Sequence, residues 1–342
     1  MTVSIRPRSG LLALAVASLA LMAPPALAAE VNVYTSREPQ LIRPVFEAFS
    51  KATGIKVNAV FLQNGLEERV KAEGQNSPAD LIILVDAAKL AGAAELGITQ
   101  PVRDAGLEAA VPAHLRDPDG HWYATTLRSR VVFASRERVK QDAITYEDLA
   151  DPKWKGRVCI RSGQHPYNVS LFAAVVARHG AEKAGDWMTR LRANLAKRPS
   201  GGDRDVAKDI LAGVCDIGVG NTYYIGLLRN DPDPGQRAWG HAVKLLDSRF
   251  AGGGTHVNVS GAAVARHAPH RAEALQLLSF MTSDAGQKVL ADLNYEYPVR
   301  PGVSGATAAL FGPIQPDTLS LAEIARARRT ASELVDRTGF DN

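Results

Sequence analysis

The run Leu81-Ile82-Ile83-Leu84-Val85 limits this chain more than any other stretch. Five consecutive apolar residues, closed off by Asp80 and Asp86, are too few for a stable helix and too uniform for a strand with one wet face. A strand apolar on both faces belongs in a sheet covered by helices on both sides, usually a parallel one. The chain before it has the matching rhythm. Val31 to Tyr34 alternates as a strand, and a polar loop follows from Thr35 to Gln40. Leu41, Ile42, Val45, Phe46 and Phe49 then recur at helical spacing, with Pro39 suited to the first turn and Gly54 to the stop. Lys56 to Leu62 reads as a second strand and Leu66 to Glu73 as a second helix. Strand, helix, strand, helix, strand is an α/β alternation. In such folds ligands gather at the carboxyl ends of strands, here Thr35 to Gln40 and Val85-Asp86.

Further on, His121 to Leu127 leads into Arg128-Ser129-Arg130-Val131-Val132-Phe133-Ala134, a buried strand with basic residues at its start. On a strand Arg128 and Arg130 share one face and Ser129 points away. Ile144 to Leu149 and Asp151 to Trp154 form a connection. A second α/β set follows: strand 157–161, helices near 168–179, 182–195 and 204–213, and strand 214–219. Val206, Ile210 and Leu211 are expected on one face of the third helix, with Gly213 as its stop. After the loop Gly252-Gly253-Gly254, residues 256–264 form another strand, and helices 270–281, 284–293 and a segment from Leu319 to Arg337 close the chain. One strand crossing out near 128–134 and another returning near 256–264 indicate two α/β lobes joined by a two-strand hinge.

The first residues have the pattern of a secretory signal. Arg6 and Arg8 precede the apolar stretch Leu11 to Met22, which is shorter than the roughly 20 residues a membrane-spanning helix needs, and Ala26-Leu27-Ala28 fits a cleavage site. Cleavage is expected after Ala28, with Ala29 the alternative. Losing residues 1–28 removes two arginines and no acid, so formal charge drops from +4 to +2. That is too little to argue for a nucleic-acid partner or a membrane surface. In an exported protein the single pair Cys159 and Cys215 is expected to form a disulfide between neighbouring strands, two buried thiols being the alternative.

Three tyrosines are candidates to carry chemistry. Tyr167 lies in His165-Pro166-Tyr167-Asn168, and Tyr223-Tyr224 follow Asn221-Thr222 where the strand 214–219 gives way to a helix. Fe³⁺ favours hard anionic oxygens, and its charge can strip the proton from a phenol, as bound metals do to water and thiols. Adjacent residues in mid-helix diverge by about 100°, so Tyr223 and Tyr224 can converge only at a turn or helix start, where the dipole also favours anionic ligands. Residues alone leave this open, since a Tyr-Tyr pair is more often half-buried packing. Arg128 and Arg130 could hold an anion by paired hydrogen bonds or simply neutralise acids. Glu38 and Gln40 could reach a ligand from the opposite lobe or be loop charge at a helix start. His267 and His270 suit an exposed loop, and His165 suits shaping the loop that presents Tyr167. No phosphate-binding glycine loop, paired-histidine zinc motif or Gly-x-Ser-x-Gly elbow occurs.

The segments 31–42 (VNVYTSREPQLI), 78–90 (PADLIILVDAAKL), 161–171 (RSGQHPYNVSL), 202–228 (GDRDVAKDILAGVCDIGVGNTYYIGLL), 252–290 and 294–299 (NYEYPV) together resemble the bacterial periplasmic ferric-iron-binding proteins, the solute receptors of iron ABC importers. The resemblance covers essentially the whole chain after the signal. It implies the class II periplasmic binding protein fold, with an N-terminal lobe of residues 29–128 and 256–299 and a C-terminal lobe of residues 129–255 and 300–342. It implies Fe³⁺ as the transported ligand, held by Tyr167, Tyr223 and Tyr224, and a synergistic anion such as carbonate supported by Arg128, with Arg130 the weaker match. It further implies a monomer in the periplasm, without enzymatic activity, that delivers iron to an inner-membrane ABC permease. Many members place a histidine or another tyrosine in the first loop. This chain has Ser36-Arg37-Glu38-Pro39-Gln40 there, so Glu38, Gln40, an anion or water would complete the sphere. The alternatives are the same fold binding an oxyanion, a polyamine or thiamine, a secreted hydrolase, for which no residue set can be nominated, or a structural or adhesive protein.

Overall fold

The computed structural model describes residues 1–4 and 29–342, and the secretory-signal reading lies almost wholly outside the described residues. Ten strands are described: β1 (Glu30–Thr35), β2 (Lys56–Phe61), β3 (Leu81–Val85), β4 (Tyr123–Ser135), β5 (Ala143–Thr145), β6 (Val158–Cys159), β7 (Ile217–Asn221), β8 (Val243–Leu245), β9 (Asp247–Arg249) and β10 (Val257–Val264). The first three pair in parallel about β1, as the α/β rhythm requires. The helix Pro39–Thr53 links β1 to β2, buries Leu41, Ile42, Val45, Phe46 and Phe49, and stops at Gly54, whose φ of 76° is the left-handed conformation that glycine adopts without strain.

The strand order β2-β1-β3-β10-β4-β7-β6 shows how two lobes share one ladder. β3 lies antiparallel to β10, which lies antiparallel to the first half of β4, from Tyr123 to Ser129. From Arg130 to Ala134 the same strand pairs instead with β7, which pairs in parallel with β6. β4 is therefore longer than the sequence pattern suggested, and all thirteen of its residues are buried. One core gathers on the β1–β3 side around Val33, Phe49, Ile82, Leu90 and Leu277. Beyond Arg130, alternate side chains face two further cores. Val132 and Ala134 join Phe172, Trp187 and Leu334, while Val131 and Phe133 join Val206, Ile210 and Leu228. This is the period-two alternation of a strand covered on both faces. The helix Leu321–Arg337 contributes Leu321 to the first core and Ile324, Ala331 and Leu334 to the second.

Three local expectations change. The strand expected over 157–161 is only Val158–Cys159, because the Asn168 side-chain amide takes the carbonyls of Arg161 and Ser162 that a longer strand would have offered to a neighbour. The strand expected at 214–219 begins at Ile217, since Val214 still hydrogen-bonds back to the Asp209 carbonyl at the end of the preceding helix. Leu211 is exposed rather than on the buried face of the helix Asp203–Leu211, where Val206, Ala207 and Ile210 do the packing. The stretch 143–154 also holds β5, paired with β9, and two short 3-10 turns.

Cys159 and Cys215 form a disulfide with Cα atoms 5.8 Å apart, tying β6 to the residues just before β7. The bridge closes a loop of 56 residues. Such cross-links restrict the unfolded chain, so reduction, or the Cys159→Ala/Cys215→Ala pair, is expected to cost about 2–4 kcal/mol, read as a lower midpoint in urea unfolding.

Candidate metal centre

A cleft of about 450 Å³ opens between the lobes. One wall is the β1-to-helix loop, with Ser36, Arg37 and Glu38, together with Val85 at the end of β3. These are the two strand ends that the sequence pattern singled out. The other wall carries Tyr167, Tyr223 and Tyr224, and Arg128 and Glu296 also line the space.

The tyrosines converge because each opens a helix. Tyr223 and Tyr224 stand in the first turn of the helix Thr222–Arg229, directly after β7. Their rings lie 4.3 Å apart between centroids at an angle of 37°, so the pair stays side by side instead of diverging. Tyr167 is at the start of the helix Pro166–His179, and the Tyr223 hydroxyl donates to its oxygen at 3.2 Å. His165 sets this approach. Its Nδ1 accepts from the Tyr167 backbone N–H at 3.2 Å, and its ring packs edge-on against the Tyr167 ring. Burial, together with the charges of Arg161 and Arg130, pushes the His165 pKa down to about 3, so the imidazole is a neutral cap.

Burial is also the main cause that lifts Tyr223 well above the usual phenol range, reinforced by Tyr167 and Tyr224 and opposed by Arg128. Tyr224 is raised for the same first reason, with Tyr167, Asp203 and Glu38 adding to it. Without a cation in the cleft these two phenols hold their protons. A group that ionises them must bring strong positive charge.

The two arginines of β4 have different duties. Arg130 is committed internally: Nε donates to Asn168 at 2.8 Å, and Nη1 donates to Asp203 and to the Asn221 side-chain oxygen, each at 3.0 Å. Asp203 is fully buried. Burial alone would raise its pKa, but Arg130 and Arg161 outweigh that and hold it below the ordinary aspartate value. Arg128 is buried too, yet among the described residues it has no carboxylate partner. Its Nη1 donates to Ser260 Oγ at 2.9 Å, and its Nη2 has no hydrogen-bond partner among the described residues. A guanidinium in that condition suits an anion in the cleft. Arg128, Arg130 and Arg161 all lie within 5.8 Å of the Tyr167 ring centroid and surround it with positive charge.

Glu38 lines the cleft, half-buried, as the residue preceding the helix Pro39–Thr53. Gln40 is exposed and donates its amide to the Glu38 carboxylate. Asp86 faces away from the cleft. It caps the helix Ala87–Glu95 through the Ala88 N–H and accepts from Arg328 at 2.6 Å. His270 is joined to the buried Asp80, and His267 is exposed. Sequence reasoning missed the pair of Arg37 and Glu296, both buried and hydrogen-bonded across 259 positions. The available signal was an isolated charge in Asn294-Tyr295-Glu296-Tyr297, because a buried carboxylate demands a partner. Among the described residues, no group of three or more His, Cys, Asp or Glu offers a metal site elsewhere.

Two lobes on a shared ladder, with a polar cleft between them, define a hinged binding protein. Comparison with known proteins places it further: residues 45–310 match the family described as bacterial extracellular solute-binding protein, and the chain belongs to that family. It is 41% identical over 314 residues to iron uptake protein A1 of Synechocystis sp., covering 91% of this chain and 87% of the relative. Among solved structures it is similar to the Bordetella ferric binding protein, at a TM-score of 0.85 and 53% identity over 92% of this chain and all of the other. It is also similar to a Trichodesmium protein solved in complex with iron and citrate ligands, at a TM-score of 0.84 and 36% identity over 91% of this chain and 99% of the other.

The Arg130–Asp203 pair anchors the tyrosine wall, so Asp203→Asn is expected to destabilise the protein by about 3–5 kcal/mol by leaving Arg130 buried without its counter-charge. The pH dependence has a definite sign. A carboxyl with a depressed folded pKa contributes stability above the unfolded aspartate pKa and loses it as pH falls through the folded value. Urea midpoints measured from neutral pH downward should therefore fall more steeply below about pH 4 for the parent than for Asp203→Asn.

Proposed function

We propose that this protein captures Fe³⁺ in the cleft and delivers it to an inner-membrane ABC permease, acting in the periplasm as a monomer and as a binding protein rather than an enzyme. The observation that carries the reading is the convergence of three phenols, with Tyr223 and Tyr167 oxygens 3.2 Å apart, beside the Arg128 guanidinium, whose Nη2 has no hydrogen-bond partner among the described residues. Tyr167, Tyr223 and Tyr224 supply phenolate oxygens whose three charges balance the ion. Arg128 holds a small oxyanion, with carbonate the leading candidate, that fills further coordination positions. Glu38 is the N-terminal lobe's own candidate ligand. The iron named in the relatives' descriptions supports this choice of cargo. The lobes are proposed as residues 29–128 with 256–299, and residues 129–255 with 300–342, following a secretory signal over residues 1–28.

The ligands on the two walls can meet one ion together only when the cleft is closed, so iron shifts the population toward the closed state. Ferric iron bound by phenolate gives a visible charge-transfer band. Tyr223→Phe and Tyr224→Phe should each abolish or strongly shift that band and lower iron affinity by at least a hundredfold, about 2.7 kcal/mol. An unchanged band and affinity in both variants would remove the assignment.

Acid should release the metal. Each phenol that enters as a neutral hydroxyl gives up one proton on binding, so apparent affinity falls by roughly tenfold per pH unit for each such proton. Burial biases Tyr223 and Tyr224 further toward the protonated form, which raises the cost of ionising them at a given pH and extends that slope to higher pH. Iron affinity measured by chelator competition at a series of pH values should show that slope, and Tyr224→Phe should reduce it by one proton.

A further inference from the structure

Ser260 occupies a position where a hydroxyl is costly to bury and easy to replace. It lies on β10, is fully buried, and marks the place where the β10–β4 register shifts between Ser260 and Gly261. Two guanidiniums meet on its one oxygen. Arg37 Nη1 donates to Ser260 Oγ at 2.7 Å and Arg128 Nη1 donates to the same atom at 2.9 Å. A serine oxygen has two acceptor lone pairs, and these two bonds use both. Among the described residues one carboxylate, Glu296, is bonded to this group, and it is bonded to Arg37. The buried set of Arg37, Arg128 and Glu296 thus has one positive charge in excess. Without a shared acceptor between them, the two like charges would repel and swing apart.

We propose that Ser260 is a positioning residue for anion capture: its Oγ holds the Arg37 and Arg128 guanidiniums side by side so that Arg128 meets a small oxyanion in the cleft. The inference rests on the proposed iron-and-anion reading of the site. Ser260 touches neither the tyrosines nor the ion, and its effect passes through Arg128. Its loss is therefore felt in the anion requirement. A merely structural serine would lower stability and leave that requirement alone.

The test uses the purified chain after export, stripped of metal, with ferric iron supplied from a weak chelate in bicarbonate-free buffer. Bicarbonate is then titrated while the charge-transfer band is followed. Ser260→Ala is expected to raise the half-saturating bicarbonate concentration at least tenfold. Ser260→Thr, which keeps an oxygen at the same position, should return it to within about threefold of the parent. Thermal midpoints of all three proteins are recorded alongside. A Ser260→Ala protein that melts earlier but titrates within twofold of the parent overturns the inference and makes Ser260 a packing residue. Should Ser260→Ala not fold, Ser260→Thr and Ser260→Cys carry the test. Cysteine is a poor acceptor of near-equal shape, so the inference requires it to shift the titration at least fivefold and threonine not to; equal titrations for both overturn it. A parent protein that forms no bicarbonate-dependent band removes the iron-and-anion reading itself. A parent band with an unaltered variant titration removes only the role of Ser260.

Discussion

The backbone ladder of β4 fixes where every group in the cleft can be. Between Ser129 and Arg130 this strand exchanges one partner for another, β10 for β7, without a break in its own hydrogen-bonded course. A strand cannot slip by one residue without turning every side chain to the opposite face, so the two registers are rigid statements of position. Arg128 lies opposite Asn258 on the hinge strand, and Arg130 lies opposite Asn221 on β7. Asn221 is the residue before the helix that begins Thr222-Tyr223-Tyr224. The paired tyrosines are therefore set relative to Arg128 by one strand and one register, with no long loop between them. Tyr167 joins them because Asn168, its neighbour, is bound to Arg130 on the same strand.

Buried charge explains which residue is left available. A buried ion whose partner is missing is strongly destabilising, and a paired one roughly offsets its desolvation. Arg130 is matched by Asp203, and Arg37 by Glu296. Arg128 has neither, although it is as buried as the others. Its charge stands next to Tyr223, where it opposes the effect of burial on that phenol. The same uncompensated cation thus favours the Tyr223 phenolate and, on the proposed reading, attracts an oxyanion, and both effects weaken if it is given a protein carboxylate.

Most of the frame was legible because it depends on local pattern. The apolar run Leu81 to Val85, the helical spacing from Leu41 to Phe49 and the Gly54 stop each carry their own evidence. The strand-to-helix junction at Asn221 was legible too, and with it the possibility that Tyr223 and Tyr224 converge, which the residues alone left open beside half-buried packing. The disulfide was the expected reading of two cysteines in an exported chain, with two buried thiols the alternative, and the structure has it. Pairings formed by the hinge were not legible. Arg37 reaches Glu296 over 259 positions and Ser260 over 223, and no periodicity encodes such contacts. The different duties of Arg128 and Arg130 were equally hidden, since on the strand they occupy equivalent positions. Asp203, eighteen residues before Asn221 and tied to its N–H at 2.9 Å, gives Arg130 the counter-charge that Arg128 lacks.

On the proposed reading, the asymmetry of the two walls decides what drives closure. The three phenols all come from helices beyond the crossing point of β4, so they can engage an ion whether the cleft is open or shut. Their affinity, however large, is nearly the same in both states and shifts little between them, because a ligand moves an equilibrium only by the difference in its affinities. The groups that differ are those facing the tyrosines, namely Glu38 and the anion held at Arg128 beside Arg37. Arg328 on the helix Leu321–Arg337 also pairs with Asp86 at the end of β3, at 2.6 Å. Tight holding of iron is thus assigned to one lobe, and the signal that iron is held is assigned to the other lobe and to the anion between them. A small oxyanion, exchangeable with solvent, can release the second function without dismantling the first.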